Sequence, residues 1–154
     1  MPQRRVRDVS ARREVIQLPA EASVRSASRL MAEQGIGAIL VMRGEKFQGI
    51  FTERDALKRV LAEGRNADAT TLAEGMMREM VTLDPDAFAV DALRLMSQVG
   101  IRHLPVVDHE KVTGMISLRD FIGAEFQLAG KNSEVPRTQF GACGKGTRRR
   151  VRRL

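Results

Sequence analysis

Gly35-Ile36-Gly37-Ala38-Ile39-Leu40-Val41 returns 65 residues later as Gly100-Ile101-Arg102-His103-Leu104-Pro105-Val106. The same offset carries Gly49-Ile50-Phe51-Thr52-Glu53-Arg54-Asp55 onto Gly114-Met115-Ile116-Ser117-Leu118-Arg119-Asp120, and Arg29-Leu30-Met31 onto Arg94-Leu95-Met96. Upstream, Val15 and Pro19 fall on Val81 and Pro85 at an offset of 66, so the first copy holds one extra loop residue. A register kept over some forty residues with a single slip marks a duplication, and a repeat governs how the rest of the chain is read.

Each copy spells the same order of elements. A short apolar stretch (Val15–Leu18, then Met80–Leu83) reads as a strand ended by a proline turn. Helical spacing follows at Val24, Ala27, Leu30 and Met31, and again at Ala89, Ala92, Leu93 and Met96. Gly35 and Gly100 stand just past those helices, where a left-handed C-cap favours glycine. Two strands then form a hairpin: Ala38–Met42 with Phe47–Phe51, and Leu104–Val107 with Val112–Ile116. A second helix starts near Thr52 or Ser117, carrying Ala56, Leu57, Val60 and Leu61, or Phe121, Ile122 and Phe126.

The fold class is therefore mixed α and β (α+β or α/β): two βαββα units of about 60 residues, each too small to bury an adequate core alone. Packing the two through their sheets with pseudo-twofold symmetry removes that deficit. The organisation read from the chain is repeat 1 over 1–63 with its N-terminal lead-in, a linker over 64–71, repeat 2 over 72–128 and a basic tail over 129–154. Asp8-Val9 and Glu74-Gly75 read as short lead-in turns of the two copies.

Composition narrows the function. Of the net charge of +7 in 154 residues, all of it lies beyond residue 130, where eight Lys and Arg face Glu134 alone. The preceding body is electrically neutral, so its surface does not advertise a nucleic-acid partner. With six Phe and neither Trp nor Tyr, it also lacks a base-stacking platform. Cys143 is the only cysteine, which excludes an internal disulfide and a thiolate metal site and fits a reducing, cytoplasmic setting. The Arg-rich start has no apolar run of a secretory signal, and Ala38–Met42 is far too short to span a bilayer. Met76, Met77, Met80, Met96 and Met115 read as gap-filling core.

The chemistry-bearing pattern is Thr52-x-x-Asp55, repeated as Ser117-x-x-Asp120. A carboxylate accepts from both hydroxyls of a ribose, and a hydroxyl beside free backbone N–H groups at a helix start suits a phosphate. Arg54 and Arg119, one residue before each aspartate, can add a charge-assisted phosphate contact. The same Ser/Thr-x-x-Asp spacing also describes a capping box. Its recurrence after the same glycine, with an Arg at the same place, favours a ligand role, and the two roles are compatible. His103, opposite Ala38 in the repeat, is a polar ring able to reach a phosphate or ribose or to serve as a satisfied strand-edge residue. Metal ligation is disfavoured because His109 is the sole second histidine and sits in a turn. An adenine slot would draw on Val15, Ile36, Val81 and Ile101. The tail's Gly141-Ala142-Cys143-Gly144-Lys145-Gly146-Thr147 lacks the residue order of a phosphate loop. No nucleophile–base pair, catalytic carboxylate pair or metal cluster appears, so the chain reads as a non-enzyme.

The two glycine-led segments of each copy resemble a tandem pair of cystathionine-beta-synthase (CBS) domains, a Bateman module, over about Val6 to Phe126, in the manner of stand-alone bacterial CBS-pair proteins. That resemblance implies a pseudo-twofold pair with two clefts and a homodimeric disc of four repeats. It implies no required cofactor but an adenosine ligand (AMP, ADP, ATP, NAD(H) or S-adenosylmethionine) whose occupancy biases a regulated partner or the assembly state. It places ligand contacts on Thr52, Arg54, Asp55, Ser117, Arg119 and Asp120, on Gly37 and Ala38, and on Arg102, Leu104 and Pro105 beside His103. The alternative is a nucleic-acid-associated adaptor in which the repeat dimerises and Arg148–Arg150, Arg152 and Arg153 contact nucleic acid or an acidic partner.

Overall fold

The computed structural model describes residues 3–10 and 14–130. In chain order the elements are α1 (Val6–Ser10), β1 (Gln17–Pro19), α2 (Val24–Gln34), β2 (Ala38–Arg43), β3 (Lys46–Thr52) and α3 (Glu53–Asp55), which runs on as a π-helical stretch, Ala56–Leu61. The second copy follows with α4 (Leu72–Gly75), α5 (Ala89–Val99), β4 (His103–Asp108), β5 (Lys111–Ser117), a 3-10 turn (Leu118–Asp120) and α6 (Gly123–Ala129). The expectations of the tail, including Cys143 and the arginine run, fall outside the described residues.

The repeat is visible in backbone detail. Gly35 and Gly100 end α2 and α5 in the left-handed conformation, at φ 63° and 72°, each returning its N–H to a methionine carbonyl, Met31 or Met96. Both hairpins change register at the same place, between Val41 and Met42 and between Val106 and Val107. The extra residue, Gln48 or Thr113, is a β-bulge that increases local twist and curls the sheet over its helices.

The third strand differs between copies. In the first, β1 pairs in parallel with β2 over Gln17–Pro19, and Leu40 N–H donates to the Ile16 carbonyl at 3.1 Å. In the second, the expected strand Met80–Leu83 is reduced to one parallel bridge, Leu83 to Val106. The cause is chemical: the residue in register with Leu40 is Pro105, which has no N–H to give, and proline in a strand removes a ladder bond. The two sheets are accordingly three-stranded and two-stranded.

The second helix also diverges. It continues without a break from Glu53 to Leu61, whereas after Asp120 the chain turns extended at Phe121 (φ −86°, ψ 149°) before α6 begins. Arg4 Nη2 donates to the Asp120 carbonyl at 3.3 Å, the acceptor that an unbroken helix would offer to the amide four residues on.

Each lead-in packs on the opposite copy. The short helix α1 buries Val6 and Val9 in the core of the second copy, beside Leu93, Met96, Leu104 and Ile116, and its amides donate to the carbonyls of Ala87 and Pro85. Reciprocally, α4 buries Leu72 with Val24, Met31, Ile39 and Phe51 of the first copy, and Met77 bridges Ile50 on the edge of β3. The lead-ins are thus helical rather than turns, and they cross. Each strand that receives a lead-in has a glycine at the crossing. A Cβ on Gly49 would stand 2.4 Å from the Met77 carbonyl oxygen, and one on Gly114 would stand 2.9 Å from Ser10 Cβ. The exchange ties two small cores into one body that neither repeat could stabilise alone.

Candidate functional site

A cleft of about 260 Å3 opens between the two copies. Its first wall comes from copy one: Glu14, Val15 and Ile16 ahead of β1, Gly35–Ala38 between α2 and β2, and Glu53 at the start of α3. The facing wall is Arg102 and His103 at the start of β4, with Met115, Ser117, Leu118, Arg119 and Asp120 at and beyond the end of β5.

The hairpin builds the second wall. His103 is the register partner of Ser117 across β4 and β5, and Leu118 N–H donates to the Arg102 carbonyl at 3.0 Å. In copy one the equivalent tie runs from Glu53 N–H to the Gly37 carbonyl at 3.1 Å. These two bonds dock each helix start on the loop that opens the preceding strand. The walls meet closely at Gly37, where a Cβ would lie 3.2 Å from His103 Cε1 and 3.4 Å from Glu53 Oε2. A side chain at this position would press on the His103 ring and the Glu53 carboxylate.

Both aspartates close capping boxes. Ser117 N–H and Oγ–H donate to Asp120 Oδ2 at 2.6 and 2.9 Å; Thr52 N–H and Oγ1–H donate to Asp55 Oδ2 at 2.9 and 2.8 Å. Capping and cleft lining coexist at Asp120, which is half-buried at the cleft wall. Asp55 is buried instead, 5% exposed, and its other oxygen pairs with Arg59 Nε at 3.3 Å. Arg59 is anchored in turn by donating to the Met76 carbonyl at 3.0 Å.

His103 is pushed below the ordinary histidine value by burial, against the carboxylates of Glu53 and Asp120 and with the help of Arg119 and Arg102. It is a neutral ring at neutral pH, able to donate from one nitrogen and accept at the other. Among the described residues the cleft thus offers, on one side, a hydroxyl, a carboxylate, two guanidiniums and an imidazole, and on the other a small apolar shelf of Val15, Ile16 and Ile36 flanked by the carboxylates of Glu14 and Glu53. That set suits a ligand with a flat apolar body, a diol and a phosphate.

Of the residues singled out in the sequence, Val15, Ile36, Gly37, Ala38, Arg102, His103, Ser117, Arg119 and Asp120 line this cleft. Thr52, Arg54, Asp55, Val81, Leu104 and Pro105 do not. Arg54 is exposed and donates to the Gly100 carbonyl at 3.3 Å, while Thr52 serves the Asp55 cap. Val81 and Leu104 belong to the apolar core of copy two, and Pro105 is fully buried where its carbonyl accepts from Leu83. β4 is buried on both faces along Leu104, Pro105 and Val106, and only His103 at its start reaches the cleft. Glu14, Ile16, Gly35, Glu53, Met115 and Leu118 were not anticipated. Glu53, Leu118 and Met115 each adjoin a flagged motif residue, and that adjacency was the available signal. Among the described residues no cluster of His, Cys, Asp and Glu could hold a metal ion, and no helix is long and apolar enough to cross a membrane.

Fold and cleft together define a tandem-repeat module with a ligand-sized space between its halves. The CBS-domain family model matches twice, over residues 6–62 and 70–126, and the chain belongs to the CBS-domain family. It is 36% identical over 128 residues to the Methanopyrus kandleri protein MK0525, covering 80% of this chain and 64% of that one. It is likewise 36% identical to the CBS domain-containing protein YhcV of Bacillus subtilis, over 64% of this chain and 69% of that protein. Among solved structures, a CBS-domain protein of Burkholderia ambifaria MC40-6, named for a proposed role in signal transduction, superposes with a TM-score of 0.74 at 30% identity. That match covers 86% of this chain and all of the other. The chain therefore spans a little under two thirds of the Methanopyrus protein.

Proposed function

We propose that this chain is a non-catalytic regulatory module that binds an adenosine-containing ligand of the AMP, ADP, ATP or NAD(H) class in the inter-copy cleft. Occupancy would then be transmitted to a partner protein or to the module's own assembly. The observation that carries the reading is the convergence of Ser117, Arg119, Asp120, Arg102 and His103 on the apolar shelf of the other copy. A ligand held there touches both halves at once and so changes how they sit together, which is the means by which binding becomes a signal. Asp120 is assigned to the ribose diol, Ser117 and Arg119 to the phosphate, and Val15, Ile16 and Ile36 to the base.

The test is thermal unfolding with adenosine, AMP, ATP and NAD. A ligand that binds only the folded state raises the melting temperature, by about 2.7 kcal/mol of added stability at a hundredfold excess over Kd. Asp120→Ala is expected to abolish the shift, and Asp55→Ala to lower the baseline stability while keeping the shift. Loss of the shift in Asp55→Ala with retention in Asp120→Ala would move the site to the other half. No shift with any of the four compounds would remove the reading.

Self-association is part of the proposal. Leu57 and Leu61 on the π-helical stretch are 56% and 72% exposed, and Ile122, in register with Leu57, is 53% exposed. Such matched apolar surface on both copies suits a second copy of the chain, giving a disc of four repeats. Sedimentation should return a dimeric mass; a monomer at tens of micromolar would contradict it.

A further inference from the structure

We infer that Arg4 is a positioning residue of the inter-copy cleft: it braces the wall that carries Asp120, so that seating of the N-terminal lead-in and occupancy of the cleft are coupled. The inference rests on the adenosine reading above and goes on to name the element through which occupancy is felt.

The second wall needs a brace because of where the chain breaks. Past the 3-10 turn Leu118–Asp120 the backbone turns extended at Phe121, which takes the Asp120 carbonyl and the Ile122 amide out of a helical ladder. Side chains supply both partners. Arg4 Nη2 donates to the Asp120 carbonyl at 3.3 Å, and the Ile122 N–H donates to Glu125 Oε2 at 2.8 Å. The two side chains are themselves joined, Arg4 Nε to Glu125 Oε1 at 2.7 Å and Arg4 Nη2 to Oε2 at 2.8 Å. One guanidinium thus closes the break from both sides. Its planar fork is the shape that can hold a carboxylate and reach a neighbouring carbonyl together.

Arg4 belongs to the lead-in of the first copy and does not line the cleft. Its own carbonyl accepts from the Ala89 amide at 2.9 Å, at the start of α5, and the residues after it form α1, which buries Val6 and Val9 in the core of copy two. The chain then supplies Glu14, Val15 and Ile16 to the facing wall. The lead-in therefore holds one wall from behind and leads into the other. The first copy has no such brace: Thr70 and Val60 stand in register with Arg4 and Glu125, and its helix runs on unbroken past Asp55. Coupling of this kind is reciprocal, so whatever factor the seated lead-in adds to ligand affinity, the ligand adds to the seating.

Two measurements on the full chain test it. The first is amide hydrogen exchange without ligand: Arg4→Ala should speed exchange over 117–123 about fivefold more than over the counterpart segment 52–58, whereas a general loss of stability raises both alike. The second is isothermal titration with AMP at a temperature where every variant is folded. Arg4→Ala should bind AMP about fivefold more weakly than wild type, while Gly49→Ala, which loosens the other crossing without touching either cleft wall, should stay within about twofold. By reciprocity AMP should slow exchange at the Val6 and Arg7 amides, which bond the Ala87 and Pro85 carbonyls, in wild type and not in Arg4→Ala. Arg4→Lys keeps a charge for Glu125 and decides the matter if Arg4→Ala does not fold; its ammonium lacks the fork, so it should show the same selective exchange and an affinity loss of about threefold. Wild-type AMP affinity in the Arg4 variants, or exchange rising equally in the two segments, would overturn the inference while leaving the adenosine reading intact. Failure of folded wild type to bind AMP, ATP or NAD would remove the adenosine reading, and the exchange comparison alone would then decide whether Arg4 braces the wall.

Discussion

In the first copy Asp55 caps its helix through Thr52, turns its second oxygen to Arg59 at 3.3 Å and is buried. In the second, Asp120 makes the same cap through Ser117 but stands at the wall of a cleft, and the residue in register with Arg59 is Ala124. Duplication has kept the cap, which is a local device that any helix start of this sequence will form. What differs is the path of the chain: it runs on as helix past Asp55 but turns extended at Phe121 past Asp120. Arg59 over Asp55 makes that carboxylate part of the fold, whereas Asp120 is half-buried at the cleft wall. A repeated motif in one chain thus need not mean repeated function, and the neighbours that are not repeated carry the distinction.

The largest expected effect tests a second such difference. Arg4 and Glu125 form a two-pronged ion pair at 2.7 and 2.8 Å, and Glu125, whose side chain is 8% exposed, also accepts from the Ile122 amide. The positions in register with these two are Thr70 and Val60, so the first copy packs a hydroxyl and an apolar side chain where the second uses charge. Removing one partner of a buried pair leaves the other charge uncompensated, and Arg4→Ala should cost about 3 kcal/mol in urea unfolding. Thr70→Ala, which loses one hydrogen bond to the Asn66 carbonyl at 2.8 Å, should cost only about 1 kcal/mol. The pair also has a pH signature. Burial pushes the Glu125 carboxyl up, but the hydrogen bonds from Arg4 and the Ile122 amide and the Arg4 charge together hold it below its usual value. Its folded form therefore binds the proton less readily than the unfolded chain, so the contribution is complete above the ordinary glutamate value of about 4.3 and is lost as pH falls through the folded one. The gap between wild type and Arg4→Ala should close over that range. Equal costs for Arg4→Ala and Thr70→Ala would mean the two ends are held alike.

The extent to which the molecule could be read from its residues follows the range of the forces involved. The repeat, the hairpins, the glycine C-caps and the two capping boxes depend on neighbours within about seven positions, and all were legible. The crossing of the lead-ins was not, because Val6 and Leu72 are apolar in either arrangement; only Gly49 and Gly114, strand glycines with no turn to make, hinted that another backbone passes there. Loss of the third strand in copy two was written in Pro105, whose missing N–H was readable but was taken as a ligand contact. At the site, the reading reached Ser117, Arg119, Asp120 and His103 by chemistry. It treated the two aspartates as equivalent because the motif does not show that the helix runs on past Asp55, bringing Arg59 over it, and breaks past Asp120. Glu53 was passed over as the variable residue inside a motif, although it lines the cleft.

The smaller and sharper comparison concerns those crossing points. On β3 the obstacle to a side chain at Gly49 is backbone: the Met77 carbonyl oxygen at 2.4 Å, fixed by two hydrogen bonds at 3.1 and 2.9 Å between Ile50 and Met77, with Met76 Sδ at 3.0 Å behind it. On β5 the obstacle at Gly114 is a side chain, Ser10 Cβ at 2.9 Å and Oγ at 3.2 Å, at the last residue of a five-residue helix. Gly49→Ala must therefore part the bridge between β3 and the second lead-in, whereas Gly114→Ala need only displace the last residue of the first. Overpacking costs about 1–3 kcal/mol; Gly49→Ala is expected at the upper end and Gly114→Ala at or below the lower, measured by chemical denaturation of each single variant. Should Gly114→Ala prove the costlier, α1 is held more rigidly than α4, and the tighter of the two crossings would belong to the copy that carries the cleft's polar wall.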